Sequence, residues 1–136
     1  EGTHDVASIG LVFNEEYQGD RVFAFVSGLV SMIMKSYNYK SKFYMTDSVD
    51  PQKLYNVARN LEIAAWKLNN NHDLQGNLFL MSNSSPNEEI RNLSYERIFG
   101  KLIATQDNIA IIIAGKKNRT IKTVIQRMAT AIFLPI

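Results

Sequence analysis

The stretch NIAIIIA, residues 108–114, decides how the rest of the chain is read. It is continuously apolar, rich in β-branched side chains, and stops at Gly115. A run of that kind suits a strand covered on both faces, which places it at or near the centre of a sheet.

Three further runs fit the same scheme: VASIGLVF at 6–13, KFYMT at 42–46 and NLFLMS at 77–82, each ending in polar or turn-forming residues. Between them lie helical patterns. After Gly19 and a capping Asp20, the residues Val22, Val26, Leu29, Ile33 and Tyr37 recur at steps of three and four. Asp50 and Pro51 open a second helix with Leu54, Val57, Ala58, Leu61, Ala64, Ala65 and Leu68 on one face. Asn87, Glu88 and Glu89 suit the start of a third, with Ile90, Leu93, Ile98 and Leu102 inward, and Ile121, Val124, Ile125, Met128 and Ile132 form a fourth stripe. The alternation predicts an α/β fold: four βα units, a mainly parallel four-stranded sheet with helices on both faces, and a single domain over 1–136.

A chain of 136 residues with 46% apolar content suits one hydrophobic core. The absence of cysteine removes disulfides, thiolate nucleophiles and cysteine-bound zinc from consideration, and leaves the compartment open, with the cytoplasm favoured over the envelope or secretion. Because the chain opens on Glu1 rather than Met, an excised or processed segment is expected. The apolar runs at 22–34 and 109–114 are short, or broken by Ser27, Gly28 and Ser31, so no membrane span is expected. The net charge is only +2, but every charge after Asp107 is positive: Lys116, Lys117, Arg119, Lys122 and Arg127.

In an open α/β sheet, ligands bind beyond the carboxyl ends of the strands. That rule selects Asn14 after the first strand, Thr46 and Asp47 after the second, Ser82, Asn83 and Ser84 after the third, and Gly115, Lys116, Lys117 and Asn118 after the fourth. The last of these loops, set before a helix, would hold an anion through backbone N–H groups and basic side chains. It is not a nucleotide-binding P-loop, because Ala110 stands where the first glycine belongs.

Catalytic groups are sparse. His4 and His72 fall at no strand carboxyl end, so a Ser-His-Asp arrangement has no base, and no metal site or cofactor is predicted. Asp47, Asp50, Glu15 and Glu16 are the carboxylates nearest to a hard-cation set, although Asp50 reads better as a helix cap. Trp66 and the tyrosines are scattered rather than gathered for stacking on bases, so there is no strong nucleic-acid signal.

The segments IGLVF, GLVSMIM, DSVDPQKL and GNLFLMSNSSP, followed by an apolar run ending at Gly115 with Asn118 just after, occur in an order that resembles the mannose-family EIIA domain of the sugar phosphotransferase system, over about 9–128. The resemblance implies a four-unit α/β scaffold. That family's phosphorylated histidine follows the first strand, where this chain reads Phe13, Asn14, Glu15, Glu16, so the phosphotransfer chemistry would be lost and a regulatory or binding role would remain. The opening IGLVF and the helix after it also resemble the first lobe of type I periplasmic sugar-binding proteins, which need a second lobe.

The function expected from the sequence is a non-catalytic, regulatory domain that binds a protein partner or a small anionic ligand. The alternatives are a small enzyme acting on a phosphorylated or anionic substrate, and a structural interaction module of a larger assembly.

Overall fold

A computed structural model describes residues 6–44, 47–82 and 92–136. Among the described residues there is no strand. There are four helices, α1 (Val6–Leu11), α2 (Arg21–Ser36), α3 (Pro51–Asn70) and α4 (Leu93–Lys116), and a single 3₁₀ turn at Met128–Thr130.

Helix α3 is the centre of the structure. Asp50 caps it, its carboxylate accepting the Gln52 N–H at 3.0 Å, and Pro51 occupies the first turn, where its missing N–H costs nothing. The whole predicted face from Leu54 to Leu68 is buried, and so are Tyr55, Asn56, Asn60 and Ile63 off that face. A helix buried on most sides needs neighbours all round. Helix α4 lies along it, α2 packs on it, and α1 reaches it through α2. Leu54, Leu61, Ile63 and Leu68 are essentially inaccessible, each contributing about 1.5–3 kcal/mol of burial before the entropy of ordering is set against it.

Helix α2 starts where Asp20 predicts, with the Asp20 carboxylate accepting the Phe23 N–H at 2.9 Å. Its inward face is Ala24, Phe25, Gly28, Leu29 and Met32. Val22 and Val26 of the expected stripe are exposed, so the helix is turned from the expected face. Gly28 explains the rotation. A Cβ there would meet Ile9 Cγ1 at 2.8 Å, so the bare backbone is what lets α1 cross α2 closely.

The α/β expectation is overturned, and each strand fails for a specific reason. Residues 6–11 are the helix α1 rather than a strand; a short apolar run does not by itself distinguish the two. Residues 42–44 are irregular, and 45–46 lie outside the described residues. Residues 77–82 contribute only an isolated bridge, His72 to Leu78. The decisive stretch, 108–114, is the last third of the 24-residue α4, because no glycine, proline or turn cluster separates it from the helical pattern upstream. Its burial follows a helix: Phe99, Gln106, Ala110 and Ala114 are covered, and Ile111 and Ile112 are exposed. The parallel sheet expected from the sequence, and the α/β scaffold that the resemblance implied, are therefore absent among the described residues.

The expected fourth helix is also replaced. After α4 the chain forms no helix until the turn at Met128–Thr130, where it bends and returns, forming a U laid on α3. The outgoing limb runs with α3, since Lys122 meets Gln52 and Val124 meets Tyr55. The return limb runs against it, since Leu134 meets Asn60 and Pro135 meets Asn56. Gln126 ties the limbs together, donating to Ile132 O at 3.2 Å and accepting from Ile132 N at 2.9 Å. Treating 109–114 as a separate short run also understated its length: α4 is long and apolar enough to cross a membrane by length and composition.

Candidate functional site

A cavity of about 660 Å³ opens between the end of α2, residues 43–44 and 47–49, and the last turns of α4. Tyr37, Phe43, Val49, Ile109 and Ile113 form its apolar wall, and Tyr44, Asp47, Lys116 and Lys117 stand at its polar rim. Its size and its apolar lining with few polar groups are those of a small-molecule site.

The wall is built by local sequence. Two successive residues in left-handed conformation, Asn38 (φ 54°) and Tyr39 (φ 57°), turn the chain sharply after α2 and send it back past Tyr37. The Tyr37 and Phe43 rings meet edge to face with centroids 5.7 Å apart. Tyr37 Oη donates to Gln106 Oε1 at 3.3 Å. Burial raises the Tyr37 phenol above its ordinary pKa, and the bond to Gln106 opposes the rise, so the phenol is neutral at pH 7.

At the rim, the Asp47 carboxylate accepts from Lys40 Nζ and from Tyr44 N, the latter at 2.8 Å. The bond to Lys40 and then that to the Tyr44 N–H hold the Asp47 pKa below the usual carboxylate value. Lys117 Nζ donates to Val49 O at 3.0 Å, bracing the loop against α4. Lys116 is exposed beside it.

Of the residues expected to bind ligand, the structure brings Asp47, Lys116 and Lys117 together at this cavity. Gly115 and Asn118 flank the lysines, but their expected role is overturned. The segment 115–118 is the C-terminus of α4, not the N-terminus of a later helix: Lys117 N bonds back to Ile113 O, and Asn118, at φ 49°, closes the end. A helix C-terminus presents carbonyls and the negative end of its dipole, so no backbone cradle for an anion exists there. The lysines supply the positive charge through their side chains alone.

Asn14 lies elsewhere, in the turn after α1, where its side chain accepts the Glu16 N–H at 3.0 Å. Its carbonyl is one of four gripped by Arg21, which also accepts the Phe79 ring against its guanidinium at 4.8 Å. Ser82 donates its N–H to Asn92 Oδ1 at 3.0 Å and is structural. Thr46, Asn83 and Ser84 lie outside the described residues, as does His4. His72 is exposed, its Nδ1 2.9 Å from Asn70 O and outside the cavity. Asp50 serves as the cap of α3, and no cluster of three His, Asp or Glu side chains able to hold a metal occurs among the described residues.

Sequence reading missed the cavity's other walls because they were assigned to the wrong elements. Ile109 and Ile113 were given to a strand, and Tyr37 to a helix face directed at a sheet. The 3.6-residue spacing of Gln106, Ile109 and Ile113, continuing from Phe99 and Leu102, was the available signal.

No protein family matches the chain, and neither a search of curated proteins nor one of solved structures finds a match.

Proposed function

We propose that this chain is a non-catalytic binding domain, and that its ligand is an amphipathic anion whose apolar part enters the cavity between Tyr37, Phe43, Ile109 and Ile113 while its head group meets Lys116 and Lys117. The observation that carries the reading is the pairing of an apolar wall with two ammonium groups at one rim. An apolar chain gains from leaving water, and the head group gains from charge-assisted bonds at a solvated edge, where the desolvation cost stays low. The lining contains no nucleophile beside a base; of its two phenols, Tyr37 is half-buried, bonded to Gln106 and neutral, and Tyr44 is exposed at the rim, which argues for binding rather than turnover.

The test is calorimetric titration with dodecanoate, dodecyl phosphate and dodecyltrimethylammonium. The two anions are expected to bind and the cation to bind at least about tenfold more weakly. Ile113→Glu should abolish binding, and Lys116→Glu should weaken the anions selectively and reduce the salt dependence. Equal binding of all three amphiphiles would leave only a greasy surface, and no binding of any would end the proposal. Dodecanoate against dodecyl phosphate distinguishes a carboxylate from a phosphate head group.

A further inference from the structure

The outgoing limb of the U, TIKTVIQR at 120–127, has been captured from one side only. Lys122 gives both its N–H and its C=O to the Gln52 side-chain amide, at 2.7 and 3.0 Å. Val124 N–H donates to Tyr55 Oη at 3.1 Å. That both main-chain groups of Lys122 face α3, with the next contact two residues on, is the alternation of an extended strand. The N–H and C=O groups of Ile121, Thr123 and Ile125 therefore point the other way. None of them has a hydrogen-bond partner among the described residues. Thr123 is exposed, and Ile125 is 98% exposed, so the free edge at these two positions faces water.

The charges carried by the limb itself are of one sign, although Glu62 of α3, paired with Arg59, lines a cavity beside Val124 and Ile125. Arg119, Lys122 and Arg127 are exposed, and no acidic residue occurs after Asp107 in the sequence. None of the three is in an ion pair with a described carboxylate. A second copy of this chain would bring the same positive charges to the contact, so self-pairing is disfavoured.

We propose that residues 121–125 are a β-augmentation edge which takes an extended, acidic segment of a partner protein. Main-chain bonds to Ile121, Thr123 and Ile125 supply the attachment, and glutamates or aspartates on the incoming strand meet Arg119, Lys122 and Arg127. A free two-stranded ribbon in water is marginal because both strands must be ordered. Here one strand is already held by Gln52 and Tyr55, so only the partner's conformational freedom is lost on binding. This site is separate from the cavity and stands or falls independently of the ligand proposed there.

The probe is a blocked octapeptide of alternating glutamate and valine, titrated into the full chain while backbone amide NMR signals are followed. The largest shifts, and new protection from hydrogen exchange, are expected at Thr123 and Ile125, with Lys122 and Val124 keeping their contacts to α3. Binding should fall at least about tenfold for a lysine-valine probe, and weaken steeply with added salt. The same glutamate-valine probe with every main-chain nitrogen methylated is also expected to lose binding at least about tenfold, because it cannot donate to the edge. This control leaves the protein unaltered, so it holds even if Thr123→Pro, which deletes the central N–H of the edge, disturbs folding. Undiminished binding of the methylated probe, shifts confined to the lysine side of the cavity, or no binding of the glutamate-valine probe would each overturn the proposal.

Discussion

Asn60 and Leu134 hold each other through two hydrogen bonds: Asn60 Nδ2 donates to Leu134 O at 2.9 Å, and Leu134 N donates to Asn60 Oδ1 at 2.6 Å. Asn60 is fully buried, so its side chain cannot turn to water instead. Asn60→Ala is expected to cost about 2–4 kcal/mol, the loss of two bonds together with two stranded main-chain groups. Gln52→Ala, at the exposed end of the same array, should cost only about 1 kcal/mol, since the Lys122 main chain can be hydrated. Urea unfolding of both variants checks the order, and a larger cost for Gln52→Ala would mean that the buried end of the tail does not anchor it.

Gly28→Ala gives a second test, because two effects of opposite sign compete. Alanine favours a helix interior over glycine by about 1 kcal/mol. The added methyl would lie 2.8 Å from Ile9 Cγ1 and 3.3 Å from Ile9 N, and Ile9 is wholly buried, so α1 must move away from α2. Overpacking of that kind costs about 1–3 kcal/mol, and a net loss of stability is expected. A raised melting temperature would show that α1 is loosely placed.

How far the sequence carries is seen best by comparing α3 with α4. In α3 every local signal agrees: Asp50 as cap, Pro51 at the first turn, an uninterrupted apolar face and the polar end at Asn69 and Asn70. In α4 the cap is weak, since Asn92 turns its side chain to Ser82, Leu68 and Leu80 rather than to the helix. Its C-terminal half is β-branched, so composition favoured a strand while continuity favoured a helix. Continuity prevailed because burial against α3 repeats at 99, 106, 110 and 114. The buried Asn56 and Asn60 lie off the apolar face of α3, and the returning tail, 74 or more residues away, gives both of them main-chain partners. The site was half legible: the lysines and Asp47 stood out by charge, whereas the wall of the cavity depended on which element Ile109 and Ile113 belonged to.

Arg59 sits between two carboxylates, with Nη2 3.0 Å from Glu62 Oε1 and 2.6 Å from Asp107 Oδ2, and its guanidinium lies over the Tyr55 ring at 4.8 Å. Burial raises the Glu62 pKa, Arg59 opposes the rise and Asp107 adds to it. A carboxyl whose folded pKa is raised binds its proton more tightly in the folded state. Its ionisation therefore destabilises the fold as pH rises through the usual carboxylate range. Glu62→Gln should be neutral or stabilising at pH 7 by less than about 1 kcal/mol, because the site is partly solvated. Arg59→Met should be destabilising by about 1–3 kcal/mol and should raise the Glu62 pKa further, which carboxyl-detected NMR would measure. An unchanged Glu62 titration in that variant would break the assignment.

Asp47 provides the opposite dependence on pH, at the rim of the cavity. Its carboxylate accepts from Lys40 and from the Tyr44 N–H, and its pKa lies below the ordinary carboxylate value for those reasons in that order. With a depressed folded pKa, the stabilisation is complete above the unfolded value, near pH 4, and is lost as pH falls through the folded one. The loop around Asp47 should thus be held in place throughout the neutral range and loosen only in acid. The Tyr44 amide signal is expected to move with the Asp47 titration, below the ordinary carboxylate value, and Asp47→Asn should remove that step while leaving the Glu62 titration in place. The same substitution frees Lys40 and makes the rim more positive, so the affinity for dodecanoate should rise at low salt. A Tyr44 signal that titrates at the ordinary carboxylate value, or that is unaffected by Asp47→Asn, would separate Asp47 from the loop it is taken to brace.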